Sequence, residues 1–262
     1  TDSRLTPSQH AMTKRAPDGD DDAALAGADP TQVELMKERC ILVDENDKAV
    51  GYASKKECHL LANYERRLHR AFSVFVFSPD GTQLLLQQRA AEKVTFPLYW
   101  TNTVCSHPLE GAAEEEEKDA VGVKRAAQRK LRHELGVVDD DVPSTDDLVW
   151  LTRIHYRAPS DDKWGEHEID YCLVAKPKQK LRMELNANEV AAVKYVTQDE
   201  LRALLRDGDD GAKGDVLVTP WFRLICEHFL FKWWDKLVAD GGNLDAIAER
   251  DTIHNLIGKN IN

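Results

Sequence analysis

Cys105 and His107 lie two residues apart in the stretch TNTVCSHP, which runs from Thr101 to Pro108. In an extended segment, side chains two residues apart point to the same side, so this thiol and this imidazole can face one cavity. A thiol and an imidazole in that arrangement indicate acid–base chemistry, a metal site, or both. A buried cysteine beside a surface histidine is the structural alternative, and the stretch alone leaves both interpretations open.

Further candidate metal ligands precede and follow this stretch. His59 and His69 come before it, whereas Glu166 and Glu168 come after it and face the same way on a predicted strand. With His107, these side chains offer three imidazoles and two carboxylates, a set that suits a divalent ion such as Zn²⁺, Mn²⁺ or Mg²⁺. No two histidines have the spacing of a helical metal motif, so exposed histidines without a ligand role are the alternative.

Basic residues near the candidate ligands indicate an anionic ligand. Lys55, Arg89 and Lys93 lie close to these histidines in a chain whose formal net charge is −11 at pH 7. Ammonium and guanidinium groups gathered at one place in an acidic protein suit the oxygens of a phosphate. Taken one at a time, each of the three is better explained as an ordinary solubilising surface residue.

The composition excludes several classes of protein. Its acidic balance argues against a nucleic-acid binder and against a basic membrane-surface protein. No apolar run reaches the ~18 residues that a membrane span needs, and the start TDSRLTPSQH lacks the apolar core of a secretory signal. The five cysteines are scattered and form no CxxC pair, which favours a reducing, intracellular compartment.

Hydrophobic patterns predict one folded domain over residues 33–262, after a disordered acidic segment over residues 1–32. Strands are predicted at Cys40–Val43, Ala49–Tyr52, Phe72–Phe77, Leu84–Arg89, Trp150–Tyr156, Glu168–Ala175 and Val190–Val196, the first two as a hairpin. Helices are predicted from the acidic run Glu114–Glu117 to Leu135, over Gln198–Arg206, from Pro220 to Gly241–Gly242, and over Leu244–Ile257, with a Gly/Asp-rich loop at Asp207–Asp215. Strands intermixed with helices indicate an α+β fold.

The end of the first long predicted helix resembles the close of a Nudix box, a motif that supplies glutamate ligands to Mg²⁺ on a diphosphate. Arg129 and Glu134 match the motif, whereas His133 replaces the first of its paired glutamates and the earlier glutamates are missing or displaced. The resemblance implies a Nudix-like mixed β-sheet sandwiched by α-helices. A Nudix-type diphosphate hydrolase is the alternative function, although the altered box departs from that chemistry.

Several stretches together resemble the type 1 isopentenyl-diphosphate isomerases, a family with a Nudix-like fold. They are Cys58–His59, Leu68–Ser73, Thr101–Pro108, Trp164–Tyr171 and Thr219–Phe222. The stretch FLFKWWD, Phe229–Asp235, is similar to the longer eukaryotic members, such as those of plants and algae. The resemblance covers roughly Val33 to Asn255, so it implies one isomerase domain with an added N-terminal hairpin and added C-terminal helices.

The resemblance also implies a function and a role for each matching residue. The enzyme would interconvert isopentenyl and dimethylallyl diphosphate through a tertiary carbocation, for isoprenoid and carotenoid biosynthesis in a chloroplast or in the cytoplasm. It would act as a monomer on a small C5 diphosphate, with no nucleic acid and no membrane as partner. The implied metal ligands are His59, His69, His107, Glu166 and Glu168, with Glu134 for a second, substrate-borne Mg²⁺. The implied catalytic residues are Cys105, Glu168, Tyr156 and Trp221, and the implied diphosphate contacts are Lys55, Arg89, Lys93 and Ser106.

Overall fold

Two β-sheets form the centre of the computed structural model, which describes residues 21–207, 216–239 and 243–259. The strands are β1 (Arg39–Val43), β2 (Ala49–Ser54), β3 (His69–Val76), β4 (Leu84–Arg89), β5 (Trp100–Thr101), β6 (Val104–Ser106), β7 (Val149–Pro159), β8 (Gly165–Ala175), β9 (Val190–Val196) and β10 (Ile253–Asn255). The α-helices are α1 (Pro30–Leu35), α2 (Lys55–His59), α3 (Leu61–Tyr64), α4 (Val121–Leu135), α5 (Gln198–Asp207), α6 (Pro220–Ile225) and α7 (Phe231–Ala239), and a π-helical turn, Cys226–Leu230, joins the last two. Short 3-10 turns lie at Asp21–Leu25, Lys118–Ala120, Asp139–Asp141 and Asp245–Ile247.

The larger sheet is mixed and has the strand order β10-β7-β8-β3-β1-β2, with β6 paired to β3. Strands β3 and β8 run parallel, whereas β7 and β6 lie antiparallel to their neighbours β8 and β3. This register sets His69 and Tyr156 on either side of Glu168, and it sets Ser73 opposite Cys105. The smaller sheet, β5-β4-β9, is antiparallel.

Helices cover the larger sheet on both faces, which is why β3 and β8 are buried at every position. On one face, Phe75 and Phe77 pack in the core formed with the C-terminal helices α6 and α7. On the other face, Val74 and Val76 pack in the core formed with α4. A strand that is covered on both faces has a continuous run of apolar residues in its sequence rather than an alternating pattern. The predicted α+β sandwich is therefore confirmed.

Within the part of the chain that the structure describes, no helix is both long and apolar enough to cross a membrane.

The acidic run Glu114–Glu117 does not begin the long helix, which was the expectation. Helix α4 starts at Val121, and its first turn contains no acidic residue. The Glu114 carboxylate instead accepts hydrogen bonds from the backbone N–H of Leu109 and from the guanidinium of Arg129. These bonds hold the run in a turn before the helix, so the prediction of a dipole-matched helix start is wrong.

The predicted helix over residues 244–257 is also wrong. This segment contains a 3-10 turn and then strand β10, which extends the larger sheet by pairing in parallel with β7. The backbone of β7 at this edge needs hydrogen-bond partners, and the segment provides them through the N–H groups of Glu249 and Leu256.

Ordered structure begins before the predicted boundary at Val33. Helix α1 starts at Pro30, its N-cap Asp29 accepts from two backbone N–H groups, and Gln32 is buried. A local cap and a buried amide together hold a segment that composition alone marks as polar. Residues 1–20, residues 208–215 of the predicted loop, and Gly241–Gly242 lie outside the described residues.

Candidate active site

Five candidate metal ligands converge at one end of the parallel pair β3 and β8. Each residue contributes one ligand atom, and these five atoms all lie within 4.8 Å of one another. All five side chains are buried. The ring centroids of the three histidines are 4.9 Å apart in every pair, so the imidazoles surround one point. The members of this cluster, called the His/Glu cluster below, are His59, His69, His107, Glu166 and Glu168.

Local structure orients two of these histidines toward the centre of the cluster. A capping box between Ser54 and Glu57 starts helix α2, which places His59 in its last turn. The Nδ1 atom of His59 lies 2.6 Å from the carbonyl oxygen of Lys55, and that of His69 lies 2.8 Å from the carbonyl oxygen of Arg67. A carbonyl oxygen only accepts, so each Nδ1 carries a proton that it donates, and each Nε2 faces the cluster.

The donor set fits a divalent ion. The Nε2 atom of His69 is buried and makes no hydrogen bond to any described residue, as expected of a nitrogen that is available as a ligand. Burial, with the charges of His69 and His59, holds the pKa of His107 well below its ordinary value, so this imidazole is neutral. Burial raises the pKa of Glu168, but the neighbouring imidazoles of His69 and His59 together outweigh it and lower that pKa to about 2. Neutral imidazoles and ionised carboxylates are the ligand forms that borderline and hard cations take.

A pocket beside the His/Glu cluster holds the expected proton-transfer groups. It contains about 520 Å³ of empty space, part of it open to solvent, and Cys105, Glu168, Tyr156 and Trp221 all line it. The hydroxyl of Tyr156 donates to Glu168 Oε2 at 2.6 Å, while Nε2 of His107 lies 2.8 Å from Oε1 of the same carboxylate. Glu168 therefore joins the cluster to the pocket.

Burial keeps both of the weak acids in the pocket protonated. Desolvation raises the pKa of Cys105 to about 12, against the opposing charge of Arg89, whose N–H lies 3.8 Å from the sulfur. Desolvation and the charge of Glu168 raise the pKa of Tyr156 well above its ordinary value. Cys105 is therefore a thiol near neutral pH, which suits a proton-transfer group and does not suit a thiolate nucleophile.

Aromatic rings close the apolar side of the pocket. Trp221 is buried, and its Nε1–H donates to Oδ1 of Asn102 at 3.1 Å, which fixes the plane of the indole. Its ring centroid lies 6.1 Å from that of Tyr156 and 5.3 Å from that of Phe96. These rings leave little room for water around the group that would occupy the pocket.

The basic residues predicted to bind phosphate also line this pocket. The lining includes Lys55, Arg89, Lys93, Ser106 and Glu134. The Arg89 guanidinium donates to the carbonyl oxygens of Thr95 and Phe96, which fixes its direction. The carboxylate of Glu134 on α4 is held by Gln87 at 3.0 Å and by the ammonium of Lys130 at 3.1 Å. Every site residue expected from the sequence thus lies in the His/Glu cluster or lines this pocket, and the chemical roles stay predictions.

Several residues near the pocket are not among those expected from the sequence. Lys130 stands one helical turn before Glu134, and this i, i+4 spacing on the buried face was a usable signal. Asp170 continues the alternation of Glu166 and Glu168 along β8 and accepts a hydrogen bond from Ser73 Oγ at 2.7 Å. Glu189, which precedes β9, has no local signal, because its partners are distant in sequence.

Comparison with known proteins places this fold and site in a class. The NUDIX domain family model matches residues 67–220, so the chain is a Nudix-domain protein. It is 50% identical over 240 residues to isopentenyl-diphosphate delta-isomerase I of Camptotheca acuminata, covering 90% of this chain and 99% of that relative. It is 50% identical to the enzyme of Cannabis sativa named chloroplastic (90% and 80% covered) and 49% identical to that of Bos taurus (87% and 96% covered). The chain belongs to the isopentenyl-diphosphate delta-isomerase family. Nearly equal identities to plant and mammalian relatives do not single out the plant lineage.

Proposed function

We propose that this chain interconverts isopentenyl diphosphate and dimethylallyl diphosphate, the activity that names its family. The observation that carries the proposal is the convergence of a protonated thiol, Cys105, and an ionised carboxylate, Glu168, on one aromatic pocket. Moving a carbon–carbon double bond by one position requires one proton donor and one proton acceptor, and these two groups supply that pair.

The proton transfers balance within the pocket. One of Cys105 and Glu168 delivers a proton to the terminal alkene carbon, which leaves a tertiary carbocation at the branched carbon. The other removes a proton from the carbon that joins the branched carbon to the diphosphate-bearing carbon, and this loss forms the new double bond. Tyr156 donates to Glu168 Oε2 and so orients this carboxylate for its step.

The pocket walls protect the carbocation from water. Trp221 is buried and fixed by Asn102, and the π face of such a ring stabilises a desolvated cation by about 2 kcal/mol. A more polar wall would admit water, which would trap the cation as an alcohol.

The metal ligands and the diphosphate contacts have separate tasks. We infer that the His/Glu cluster holds one divalent ion, Mg²⁺, Mn²⁺ or Zn²⁺, whose positive charge when bound would keep Glu168 ionised and in place. Lys55, Arg89, Lys93 and Ser106 would bind the diphosphate oxygens, and Glu134 would bind the Mg²⁺ that the substrate carries. This anchoring converts binding energy into orientation of the alkene over Cys105 and Glu168.

Replacement of Cys105 tests the proposal. With isopentenyl diphosphate and Mg²⁺, the wild type should form the dimethylallyl isomer, and in heavy water the new methyl group should carry deuterium. Cys105→Ala should lower kcat by about 10²-fold or more, because a proton-transfer group is lost. Cys226→Ala, which removes a buried thiol of the C-terminal helix outside the pocket, is the matched control and should keep its turnover. Release of phosphate or a monophosphate from the substrate would favour a diphosphate hydrolase instead.

We also infer a monomer in a reducing compartment, either a plastid or the cytoplasm. The five cysteines are free, and one relative is named chloroplastic whereas the bovine relative is not. Analytical ultracentrifugation and localisation of a full-length fluorescent fusion would test the two parts separately. A dimer peak would contradict the first part, and a fusion in the secretory pathway would contradict the second.

A further inference from the structure

We propose that Glu189 is a positioning residue of the diphosphate site, which holds the ammonium of Lys93 against the pocket and ties helix α1 to the same wall. Its two carboxylate oxygens serve two different parts of the chain. This inference rests on the proposed function in one respect only, namely that the pocket binds a diphosphate.

The carboxylate of Glu189 is buried and both of its oxygens are engaged. Oε2 lies 2.8 Å from Nζ of Lys93 and 3.5 Å from Nζ of Lys130. Oε1 accepts a hydrogen bond from Nε2 of Gln32 at 2.8 Å. The backbone carbonyl of Glu189 also accepts from the N–H of Ala90, so the residue is fixed relative to the segment that carries Lys93. Both oxygens of this carboxylate therefore hold neighbouring side chains in place.

Lys93 depends on this partner for its charge. Its side chain is nearly buried, and burial with the nearby cations Lys55, Arg89 and Lys130 lowers its pKa to about 8, while Glu189 opposes that shift. Without the carboxylate, the ammonium would lose its charge-assisted hydrogen bond and the charge that holds its proton. Such a lysine would turn away from the pocket or become neutral, and in either case it would bind a diphosphate less well.

Helix α1 is the second element that Glu189 holds. The amide of Gln32 on this helix also donates to the backbone oxygen and to Oδ1 of Asn188, at 3.0 Å and 2.7 Å. Gln32 and Met36 line the pocket, so these bonds fix one wall of it. None of the partners of Glu189 belongs to the expected proton-transfer pair. Its loss should therefore weaken substrate binding and leave the chemical step unchanged.

Steady-state kinetics of Glu189→Gln provide the test, because this change removes the charge and keeps the shape. We expect KM for isopentenyl diphosphate to rise by about tenfold or more, while kcat stays within about twofold of the wild-type value. The charged hydrogen bond that is lost contributes to substrate binding and not to the chemical step. Glu189→Asp keeps the charge and should recover part of the affinity. Asp141→Asn is the matched control: this buried carboxylate pairs with Arg182 outside the pocket, so its loss should lower stability and leave KM unchanged.

A double-mutant cycle with Lys93→Met separates positioning from a general structural effect. If Glu189 acts through Lys93, then Glu189→Gln should raise KM much less in the Lys93→Met background than in the wild type. Fully additive effects would overturn the proposal. The double variant removes both buried charges together and therefore leaves no unpaired charge at this position. If Glu189→Gln alone does not fold, Glu189→Asp replaces it in the cycle.

Direct binding distinguishes this inference from the proposed function. Titration calorimetry with inorganic pyrophosphate and Mg²⁺ measures diphosphate affinity without turnover. Weaker binding by folded Glu189→Gln supports the inference even if the wild type does not isomerise isopentenyl diphosphate, which would refute only the proposed activity. Unchanged pyrophosphate affinity in that variant would overturn the inference, whatever the activity of the wild type.

Discussion

Burial determines what the ionisable side chains of the pocket can do. Cys105 and Tyr156 keep their protons because desolvation penalises their anions, whereas Glu168 is ionised among imidazoles. Lys93 shows the opposite case, since desolvation of a cation lowers its pKa, here to about 8. Each residue type therefore defines a set of possible roles, and its surroundings select one.

The pH dependence of KM should report the ionisation of Lys93. Its pKa of about 8 lies below the ordinary value, so the side chain is a cation below that pH and becomes neutral as the pH rises through it. A neutral amine binds a diphosphate weakly, so KM of the wild type should rise above about pH 8, while Lys93→Arg should keep a nearly constant KM up to about pH 9.5 because arginine stays charged. The measurement is KM and kcat across this range. An equal rise in Lys93→Arg would assign the ionisation to another group.

Helix α4 carries Glu134 and Arg129 to the site, and both of its ends are held by tertiary contacts. Arg129 donates to Glu114 and to the carbonyl oxygen of His107, which joins the helix to the strand end that carries the cluster histidine. At its C-terminus, Gly136 adopts a left-handed conformation with φ of +57° and caps the last turn. The backbone of Glu184 packs directly against this glycine.

Gly136→Ala should destabilise the protein strongly. A Cβ atom at this position would lie 1.9 Å from the carbonyl oxygen of Glu184, so the clash adds to the cost of a left-handed alanine. We expect the free energy of unfolding to fall by about 2 kcal/mol or more, measured by urea denaturation. Gly258→Ala is the control, because φ is +74° there and, apart from its chain neighbours, no described residue has an atom within 4 Å of the added Cβ. The free energy of unfolding of this control should fall by only about 1 kcal/mol. Equal losses in both variants would mean that the chain near Glu184 yields to the added methyl group.

The whole molecule is tied together at the His/Glu cluster. Its ligands come from helix α2, from the start of β3, from the residue after β6 and from β8, which are joined elsewhere by sheet pairing and core packing. Two buried carboxylates at one point repel each other unless a positive charge lies between them. An ion at this point would therefore stabilise the native state as a whole and not a single element.

Removal of divalent ions should lower the melting temperature. An ion that binds only the native state at a concentration of about 100 Kd adds about 2.7 kcal/mol, so a chelator should lower Tm by roughly 5 to 10 °C. Adding Zn²⁺, Mn²⁺ or Mg²⁺ back one at a time, with scanning calorimetry and elemental analysis, would identify the ion. His69→Asn should show a much smaller response to the chelator. A wild-type Tm that is insensitive to chelation would contradict a resident ion in the cluster.

Most strands could be predicted because their signals are local. The apolar run ending at Phe77 and the turn after it define β3 and β4, the next strand along the chain. The alternation of Glu166 and Glu168 places both carboxylates on one face of β8. The segment around Ile253 was misassigned because its apolar spacing also suits a helix. Its strand exists because the edge of β7 offers a partner, which no local pattern contains.

The order of residues along the chain specifies the inventory of the site: a cysteine and a histidine in TNTVCSHP, two more histidines, the paired glutamates and the basic residues. Residue types and short spacings are local properties, and they are enough for resemblance to a family. The folded chain, in contrast, brings these groups together around one pocket and sets which of them hold protons. Convergence and desolvation depend on contacts between distant segments, such as those of Glu189 with Lys93 and Gln32. No short stretch of the sequence contains both partners of such a contact, so local patterns do not predict it.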